Sequence, residues 1–335
     1  MSQIPSAADR VYLVTGGNAG IGYFTAEQLA GTGATVVLGS RSVERAEAAM
    51  EVIRARVPGA RVRSVSLDLA DLGSLRGTAD SLEVGRLDAV VHNAGVLLEG
   101  LERRETRDGN EVHFGTNHLG HFALTHWLLP LLKAAPSARI VTVGSFAAKS
   151  ERLDLDDLQS RAGYRAKRTY GRSKLAQMYF GLELDRRLRA AGSTVSSVVV
   201  HPGGALDSLT PSRPPVHVRK AGAALRGTAA ALVLQGKHEG ARSAVRAVLD
   251  SQIAGGELWG PRVFGLRGQP HHERLWAQLE DAETAQRLWE ASTELTGVLH
   301  IAGAVEATFG RADAPATRAS WGVLPPASTS QVRCR

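Results

Sequence analysis

Short apolar runs and amphipathic stretches alternate along the first two thirds of this 335-residue chain. Apolar runs of strand type lie at residues 11–14, 34–38, 62–67, 87–91, 139–143 and 195–200. Helical patterns lie between them at residues 21–30, 43–57, 110–133 and 169–191. Strands that alternate with helices favour a parallel sheet, and right-handed crossovers then cover both of its faces. The pattern predicts an α/β fold with a Rossmann-type, doubly wound parallel sheet and helices on both faces.

The C-terminal third is less regular. We expect a helix at residues 239–249, a short strand at residues 256–260 and a helix at residues 283–295 that stops at Gly297. Three prolines make residues 206–219 an irregular excursion. We therefore expect one domain over residues 1–302, with its excursion at about residues 203–226. The Ala-, Gly-, Ser-, Thr- and Pro-rich residues 303–335 are expected to form a loose tail.

Composition narrows the function classes. The net charge of +7 comes from 40 basic and 33 acidic residues, and the arginines are scattered, so we expect no nucleic-acid partner. The lone Cys334 excludes an internal disulfide and a cysteine-based metal cluster. The longest apolar stretch, residues 122–132, is too short to span a bilayer and contains His126 and Pro130. The first ten residues hold no apolar signal core, and we expect a cytoplasmic protein without a membrane span.

A glycine-rich turn follows the first predicted strand. Residues 15–22 read Thr-Gly-Gly-Asn-Ala-Gly-Ile-Gly, with the spacing G-x-x-x-G-x-G. Glycine lets the backbone turn tightly and approach a pyrophosphate, and the following helix offers unpaired N–H groups to the phosphates. The same glycines also occur in ordinary strand-to-helix loops. Their place after the first strand of a β-α-β pattern favours dinucleotide binding.

Arg41 follows the second predicted strand, where NAD-binding proteins usually carry an acid for the ribose 2′-hydroxyl. An arginine there can instead bind a 2′-phosphate, so the sequence favours NADP(H). The alternative is a solvated surface arginine. Asp68, after the third strand, either accepts from the adenine amino group or caps the helix that begins near Asp71.

Tyr170 and Lys174 lie four residues apart on a predicted helix, so they face the same side. Hydride transfer to a carbonyl needs a proton donor, and a nearby ammonium favours the phenolate and lowers a tyrosine pKa. Ser145 follows a strand end, where its hydroxyl can bond the substrate oxygen. Singly, these residues are more often a half-buried tyrosine, a solvated lysine and a turn serine. Behind this glycine turn, the three together indicate a nicotinamide-dependent oxidoreductase.

These motifs resemble the short-chain dehydrogenase/reductases of the classical type, above all their retinol-dehydrogenase-like branch. That branch also carries an Arg after the second strand and an Asn-His-Leu-Gly-His-Phe segment, here residues 117–122. The resemblance covers roughly residues 8–205, with weaker likeness to about residue 298. It implies a catalytic tetrad in which Asn117 supports a water and the proton relay, Ser145 orients the carbonyl, Tyr170 is the acid/base, and Lys174 tunes Tyr170 and binds the ribose.

The resemblance also implies the cofactor contacts. Gly16, Gly20 and Gly22 line the pyrophosphate, Asp68 meets the adenine, Asn93 packs beside the cofactor, and Pro202-Gly203 forms the nicotinamide-side loop. The full cofactor-binding set is Gly16, Asn18, Gly20, Ile21, Gly22, Arg41, Asp68, Leu69, Asn93, Ala94, Gly95, Tyr170, Lys174, Pro202 and Gly203.

The chain departs from the family pattern at several places. His92 stands where the family commonly has Asn, and residues 204–208 lack the usual threonine, for which Ser208 is a weak substitute. A charged insertion spans residues 150–168, before the helix that many relatives use for assembly, which leaves a monomer or a homodimer open. His113, His118, His121 and His126 cluster around one helix, with His118 and His121 on one face, but no carboxylate or cysteine completes a metal site, so we expect none.

The sequence thus predicts an NADP(H)-dependent carbonyl reductase or alcohol dehydrogenase, in which a hydride passes between nicotinamide and a ketone or secondary alcohol. A lipophilic or aromatic small molecule is the expected substrate. We expect residues 145–168 and 203–226 to line the substrate pocket. Two alternatives stay open: reduction of a carbon–carbon double bond, and an NADP(H)-binding sensor or scaffold without turnover.

Overall fold

The structure is a computed structural model that describes residues 7–218 and 230–298. The predicted tail over residues 303–335, with Cys334, and the end of the predicted excursion lie outside these described residues. Within them, none of the helices is both long and apolar enough to cross a membrane.

Ten strands lie within the described ranges. In chain order they are β1 (Val11–Thr15), β2 (Thr35–Ser40), β3 (Arg61–Ser66), β4 (Ala89–His92), β5 (Ala138–Val143), β6 (Val195–Val200), β7 (Ala205–Leu206), β8 (Gln235–Gly236), β9 (Leu258–Val263) and β10 (Arg267–Glu273). Eight of them form one sheet in the order β10-β9-β6-β5-β4-β1-β2-β3. Every pair in it is parallel except β9–β10, and β7 pairs separately with β8.

Helices cover both faces of this sheet. They are α1 (Gly20–Ala30), α2 (Val43–Arg56), α3 (Leu75–Asp80), α4 (Gly120–Lys133), α5 (Ala166–Ala190), α6 (Lys237–Gly240), α7 (Arg242–Leu249) and α8 (Ala282–Thr296). Successive side chains of a strand point to opposite faces. Leu13 of β1 accordingly belongs to the core shared with α3, α4, α5 and α8, whereas Tyr12 and Val14 belong to the core shared with α1, α2 and α7. The predicted doubly wound parallel α/β fold is confirmed.

Several elements differ from the sequence prediction. The helix expected at residues 239–249 is two helices, α6 and α7. Residues 110–133 were expected to be one helix, but a π-helix, Phe114–Leu119, precedes α4. A final strand was expected at residues 256–260. The structure instead has a hairpin of β9 and β10, in which polar β10 is the antiparallel edge of the sheet. An edge strand buries little, so it lacks the apolar run by which the parallel strands were recognised.

Helix α8 packs across α4 and α5 and ends at Gly297, whose φ of +67° is left-handed. Its Trp289 contacts Phe122 of α4 at a ring-centroid distance of 5.1 Å and Phe180 of α5 at 5.9 Å. The guanidinium of Arg187 lies 4.3 Å from the centroid of the same indole. The C-terminal helix thus completes the core on one face of the sheet.

An ion pair between Glu27 of α1 and Arg213 fixes the segment after β7 to the first helix. Arg213 donates from Nε and Nη2 to the two carboxylate oxygens at 2.8 and 3.0 Å, and the Tyr23 hydroxyl donates at 2.7 Å. The side chains of Arg213 and Glu27 are only 10% and 9% exposed. Burial alone would raise the pKa of Glu27, but the hydrogen bonds from Arg213 and Tyr23 bring it below its ordinary value. The charged carboxylate therefore stabilises the fold.

We expect Glu27→Gln to lower the free energy of unfolding near neutral pH by about 2 kcal/mol, because a charged bidentate pair is lost. Since the folded pKa of Glu27 is lowered, this contribution is present above the unfolded pKa and disappears as the pH falls below about 4. Urea unfolding at a series of pH values measures both effects. The control is Asp80→Asn in the exposed pair Arg76–Asp80, at 3.9 Å, which should change stability by less than about 0.5 kcal/mol. Equal losses in the two variants would contradict the assignment.

Candidate active site

The loops that carry the predicted site residues begin at one edge of the sheet. Because β1 to β6 pair in parallel, their carboxyl ends lie side by side. The glycine turn follows β1, and Arg41 and Asp68 follow β2 and β3. Asn93, Ser145 and Pro202 come after β4, β5 and β6. This is the edge where open α/β sheets bind their ligands.

The glycine turn leads directly into α1. Gly16 and Gly20 have φ values of +66° and +56°, which other residues rarely adopt. A Cβ on Gly22 would lie 2.3 Å from the Gly16 carbonyl oxygen. Asn18 is in the turn and Ile21 in the first turn of α1, which holds no acidic residue and receives no side-chain cap from Ala19. The first N–H groups of α1 are thus left without a capping side chain, and the first turn itself carries no carboxylate.

Asn93 ties the loop after β4 to this turn. Its Nδ2 donates to the Thr15 carbonyl oxygen at 3.0 Å, and its backbone N–H donates to Thr15 Oγ1 at 3.0 Å. Ala94 donates to the same hydroxyl oxygen at 2.9 Å. Gly95, next in the chain, is exposed, and a Cβ there would lie 3.2 Å from both Lys174 Nζ and Asn117 Oδ1. Asn93 is thereby a structural bridge, and Gly95 adjoins the predicted tetrad.

Arg41 and Asp68 flank the outer part of the same edge. Arg41 is exposed and has no hydrogen bond or ion pair with any residue that the structure describes. Asp68 Oδ1 accepts a hydrogen bond from Ala70 N at 3.0 Å. This bond closes a local turn between residues two apart, so Asp68 does not cap a helix. Leu69 is buried, and its carbonyl oxygen would lie 2.3 Å from a Cβ on Gly120. Close packing against α4 thus fixes the loop that carries Asp68.

Ser145 and Tyr170 are brought together. Ser145 lies close enough to the Tyr170 hydroxyl to influence its pKa, and Ser145 Oγ accepts from Ala147 N at 3.2 Å. Burial raises the pKa of Tyr170 above its ordinary value, and the Ser145 hydroxyl opposes this rise. The ring of His113 meets Tyr170 edge-on at 6.3 Å. The two hydroxyls that were predicted to face the substrate therefore lie close together at the end of β5.

Lys174 is one turn further along α5 and is buried, with 4% exposure. Its Nζ donates to the Val143 carbonyl oxygen at 3.0 Å and to Gln177 Oε1 at 2.8 Å. Burial lowers the pKa of Lys174 to about 7. An ammonium has three donors, so one N–H remains beyond these two bonds.

Asn117 lies on the π-helix, and its side chain makes three hydrogen bonds within the protein. Its Oδ1 accepts from Val96 N at 2.7 Å, while Nδ2 donates to the Val96 carbonyl oxygen at 3.1 Å and to Ser173 Oγ at 2.9 Å. A π-helical turn inserts one extra residue and often occurs at functional sites. The side chain therefore braces the loop after β4 against α5, and a part for Asn117 in a proton relay stays a prediction.

Three further contacts hold the loop at Pro202 and Gly203. Gln235 donates to the Pro202 carbonyl oxygen at 2.8 Å, and Gly204 donates to that of Leu266 at 2.9 Å. His201, buried before Pro202, places Nε2 3.0 Å from Glu273 of β10. Gly203 has a φ of +68°, and a Cβ there would lie 2.5 Å from the Leu266 carbonyl oxygen. The β9–β10 hairpin thus positions the loop that was predicted to face the nicotinamide.

A cavity of about 270 Å³ adjoins the start of α5. It is lined by residues 98–102, Arg104, Tyr164 and Ala166. Tyr164 and Ala166 fall within residues 145–168, which were expected to line the substrate pocket, whereas the wall at residues 98–104 was not foreseen from the sequence. His113 anchors that wall, since its Nε2 accepts from Leu98 N at 3.1 Å and its Nδ1 meets buried Glu111 at 2.8 Å. The sequence signal for this pair was the occurrence of Glu111 only two residues before His113.

The predicted histidine cluster is dispersed among different partners. His118 Nε2 meets Ser292 of α8 at 2.7 Å, whereas His121 Nε2 meets Thr15 of β1 at 2.9 Å. Their side chains therefore do not converge on one point. Over residues 7–218 and 230–298, no group of three or more His, Cys, Asp or Glu side chains is arranged to hold a metal ion.

Comparison with known proteins finds clear relatives. A model of the family described as short chain dehydrogenase matches residues 10–213. Polyprenol dehydrogenase of Homo sapiens is 34% identical over 303 residues, which cover 89% of this chain and 88% of that protein. Retinol dehydrogenase 13 of Homo sapiens is 36% identical over 293 residues, which cover 86% of this chain and 85% of the relative.

Solved structures also resemble this chain. An uncharacterised protein from Mycobacterium Paratuberculosis has 36% sequence identity and a TM-score of 0.71, covering 89% of this chain and 97% of that one. Pseudomonas aeruginosa RhlG, solved as an NADP active-site complex, has 27% identity and a TM-score of 0.58, covering 77% of this chain and 96% of that one.

The packing around Gly22 predicts the effect of a single methyl group. Gly22→Ala would place its Cβ against the Gly16 carbonyl oxygen and Asn93 Nδ2, and should destabilise the fold by about 1–3 kcal/mol. Gly77→Ala in α3 is the matched control: it meets no atom within 4 Å and should be neutral or stabilise by about 0.5–1 kcal/mol. Urea unfolding compares the two. A Gly22→Ala variant as stable as Gly77→Ala would show that the turn is looser than described.

Proposed function

This chain belongs to the short-chain dehydrogenase/reductase family of oxidoreductases, in its retinol-dehydrogenase-like branch, and we propose that it transfers a hydride between NADP(H) and a lipophilic carbonyl compound or alcohol. The observation that carries the proposal is the approach of Ser145 to the Tyr170 hydroxyl at the carboxyl end of β5, close enough to oppose the rise in the Tyr170 pKa that burial causes, with the Lys174 ammonium one helical turn away. A proton donor, an oxygen ligand and a positive charge are the groups that carbonyl reduction requires.

In this mechanism Ser145 binds the substrate oxygen and Tyr170 moves the proton. During reduction, Tyr170 gives its hydroxyl proton to the oxygen on which negative charge develops, and during oxidation it accepts that proton. The bound nicotinamide supplies or receives the hydride. Burial raises the pKa of Tyr170, and the Ser145 hydroxyl opposes this rise. The charge of Lys174, one helical turn away, favours the phenolate in addition. The remaining N–H of Lys174 suits a ribose hydroxyl.

The preference for NADP(H) rests on Arg41. Its guanidinium is exposed beyond β2 and, among the described residues, has neither a hydrogen bond nor an ion pair, so no protein carboxylate competes for it. A guanidinium suits a phosphate monoester because it presents parallel donors. The first turn of α1, free of acidic residues, suits the pyrophosphate. The NADP complex of Pseudomonas aeruginosa RhlG gives a related example.

A lipophilic substrate is supported by apolar side chains around the edge. Leu101, on the wall of the cavity, is 95% exposed, and Phe264, in the turn between β9 and β10, is 84% exposed. That turn reaches the site, since a Cβ on Gly265 would lie 3.2 Å from the ring of Phe146, next to Ser145. The relatives are named for retinol and polyprenol, which are lipophilic alcohols.

Tyr170→Phe should abolish turnover while NADPH binding persists, because only the proton donor is removed. Purified wild type and variant are compared for NADPH consumption against ketones, aldehydes and quinones, and for NADP⁺ reduction with lipophilic alcohols. A loss of about a thousandfold or more is expected, at the upper part of the range for general acid catalysis. Full activity of the variant would refute this mechanism, and tight NADPH binding by a wild type without turnover would favour a sensor or scaffold.

Arg41→Ala should weaken NADPH binding by about 1.5–3 kcal/mol, as for a hydrogen bond to a charged group, and change NADH binding little. Fluorescence titration of both cofactors measures the difference. Arg76→Ala on α3, an exposed arginine paired with Asp80, is the matched control and should affect neither. An equal loss for the two cofactors would rule out the contact with the 2′-phosphate.

A further inference from the structure

The ammonium of Lys174 is surrounded by neutral oxygens. Its two hydrogen bonds go to the Val143 carbonyl and the Gln177 amide, and within residues 7–218 and 230–298 it takes part in no ion pair. A buried charge is usually paired with an opposite charge, because burial removes it from water. A glutamate at position 177 would also reach Nζ. The presence of an amide there therefore calls for a physical explanation.

The orientation of the Gln177 amide is determined from both ends. Gln177 is fully buried, and its Nε2 donates to the His92 carbonyl oxygen at 3.2 Å. A carbonyl can only accept and an ammonium can only donate, so the NH2 group must face His92 and the oxygen must face Lys174. Turning the amide over would create two buried mismatches. Gln177 is therefore a fixed and uncharged acceptor.

His121 of α4 lies beside the amide but does not accept a hydrogen bond from it. Its Nδ1 lies 2.9 Å from the Asn117 carbonyl oxygen and 3.2 Å from Gln177 Nε2. We assign the Nδ1 proton to the shorter contact, since the carbonyl can only accept, and Nε2 then accepts from the Thr15 hydroxyl. Burial, and next the neighbouring His92, lower the pKa of His121 well below its ordinary value, against the opposing bond to Asn117. His121 is therefore neutral in the working pH range.

The remaining neighbours of Lys174 are also uncharged. Tyr170 lies one turn away on its own helix, and His121 of α4 is within electrostatic reach of Lys174, together with its own neighbours His92 and His118. Burial lowers the pKa of His92 and that of His118 to about 3, so both are neutral as well. Strand β5 contributes the Val143 carbonyl. No charge within the described ranges therefore offsets the ammonium at close range.

We propose that Gln177 is a positioning residue for the reaction: its amide holds the Lys174 ammonium without neutralising it, so that the charge acts on Tyr170. This inference rests on the proposed function, which assigns Lys174 the task of favouring the phenolate. A carboxylate at position 177 would still reach the ammonium, but it would leave the His92 carbonyl without its donor and would cancel the effect of the charge on Tyr170. An apolar side chain would leave the ammonium without its second acceptor.

The charge state of Lys174 can be measured without turnover. The sequence contains only six lysines, so lysine labelled with 13C at Cε gives a simple NMR spectrum, in which Lys174→Arg identifies the signal. Gln177→Glu should raise the titration midpoint of Lys174 by about 1–3 pH units, because an opposite charge favours the ammonium. Gln177→Asn, which is one methylene too short to reach Nζ, should lower it. Unchanged midpoints in both variants would overturn the proposal.

The second readout is the pH profile of alcohol oxidation. Adding a negative charge beside Lys174 raises the pKa of Tyr170, so Gln177→Glu should move the low-pH limb of kcat/KM upward by about one unit or more. NADPH affinity should change less than about threefold, since position 177 is buried behind Lys174. Gln252→Glu, at an exposed turn, adds the same charge elsewhere and should reproduce the wild-type profile.

The two readouts separate the possible failures. If the titration midpoint of Lys174 rose while the low-pH limb of kcat/KM did not move, the proposal would fail at its last step, the action of the charge on Tyr170. A wild type without turnover on any substrate would defeat the proposed function, while the NMR titration would still decide whether Gln177 sets the charge of Lys174. If the carboxylate prevents folding, the expected fall of the midpoint in Gln177→Asn is the deciding result.

Discussion

The hydroxyl of Thr15 is the contact on which the site depends most. It accepts the N–H groups of Asn93 and Ala94 and lies 2.9 Å from Nε2 of His121, and its residue directly precedes the glycine turn. One oxygen atom thus relates β1, the loop after β4 and helix α4 to one another. A buried donor left without its partner costs about 1–3 kcal/mol, so a shift of any of these elements would be opposed. The spacing between the glycine turn after β1 and the loop that carries Asn93 follows from this constraint.

Two buried histidines beneath this edge of the sheet, His92 and His121, make different kinds of contact. Neither ring nitrogen of His92 has a hydrogen-bond partner, and its ring lies against His121 at 4.8 Å and Phe180 at 6.3 Å. It packs as an aromatic side chain, which explains how a histidine is accommodated where the family commonly has Asn. His121 instead uses both nitrogens in the polar network. Residue type alone therefore says little about the part each histidine plays.

The sequence predicted the parallel strands well because strands covered on both faces are apolar along their whole length, as in Val195–Val200. The glycine turn, Ser145 and Tyr170 were recognisable because each function needs a residue type at a fixed place relative to a strand or a helical turn. Strand β10 was missed because its sequence, with Pro270 and two histidines, is typical of an edge. The contacts of Gln177 were unpredictable because they depend on which residues of β4 and α4 lie opposite α5.

The edge of the sheet also has an asymmetry of charge that suits its proposed ligand. The segments at residues 15–22, 39–42, 93–96, 143–147, 170–174 and 202–206 contain Arg41, Arg172 and Lys174. Arg41 and Lys174 form no ion pair with a described residue, whereas Nη2 of Arg172 lies 4.0 Å from Asp154. The same segments contain no Asp or Glu. Asp68, which follows β3, is the exception, and one of its oxygens is held by Ala70 N. Cationic groups and helix N–H donors at one edge, without carboxylates between them, favour a ligand with several phosphates. Gln177, which carries no charge, belongs to the same arrangement beneath the site. A carboxylate at this position would have paired with Lys174 and weakened the effect of the Lys174 charge.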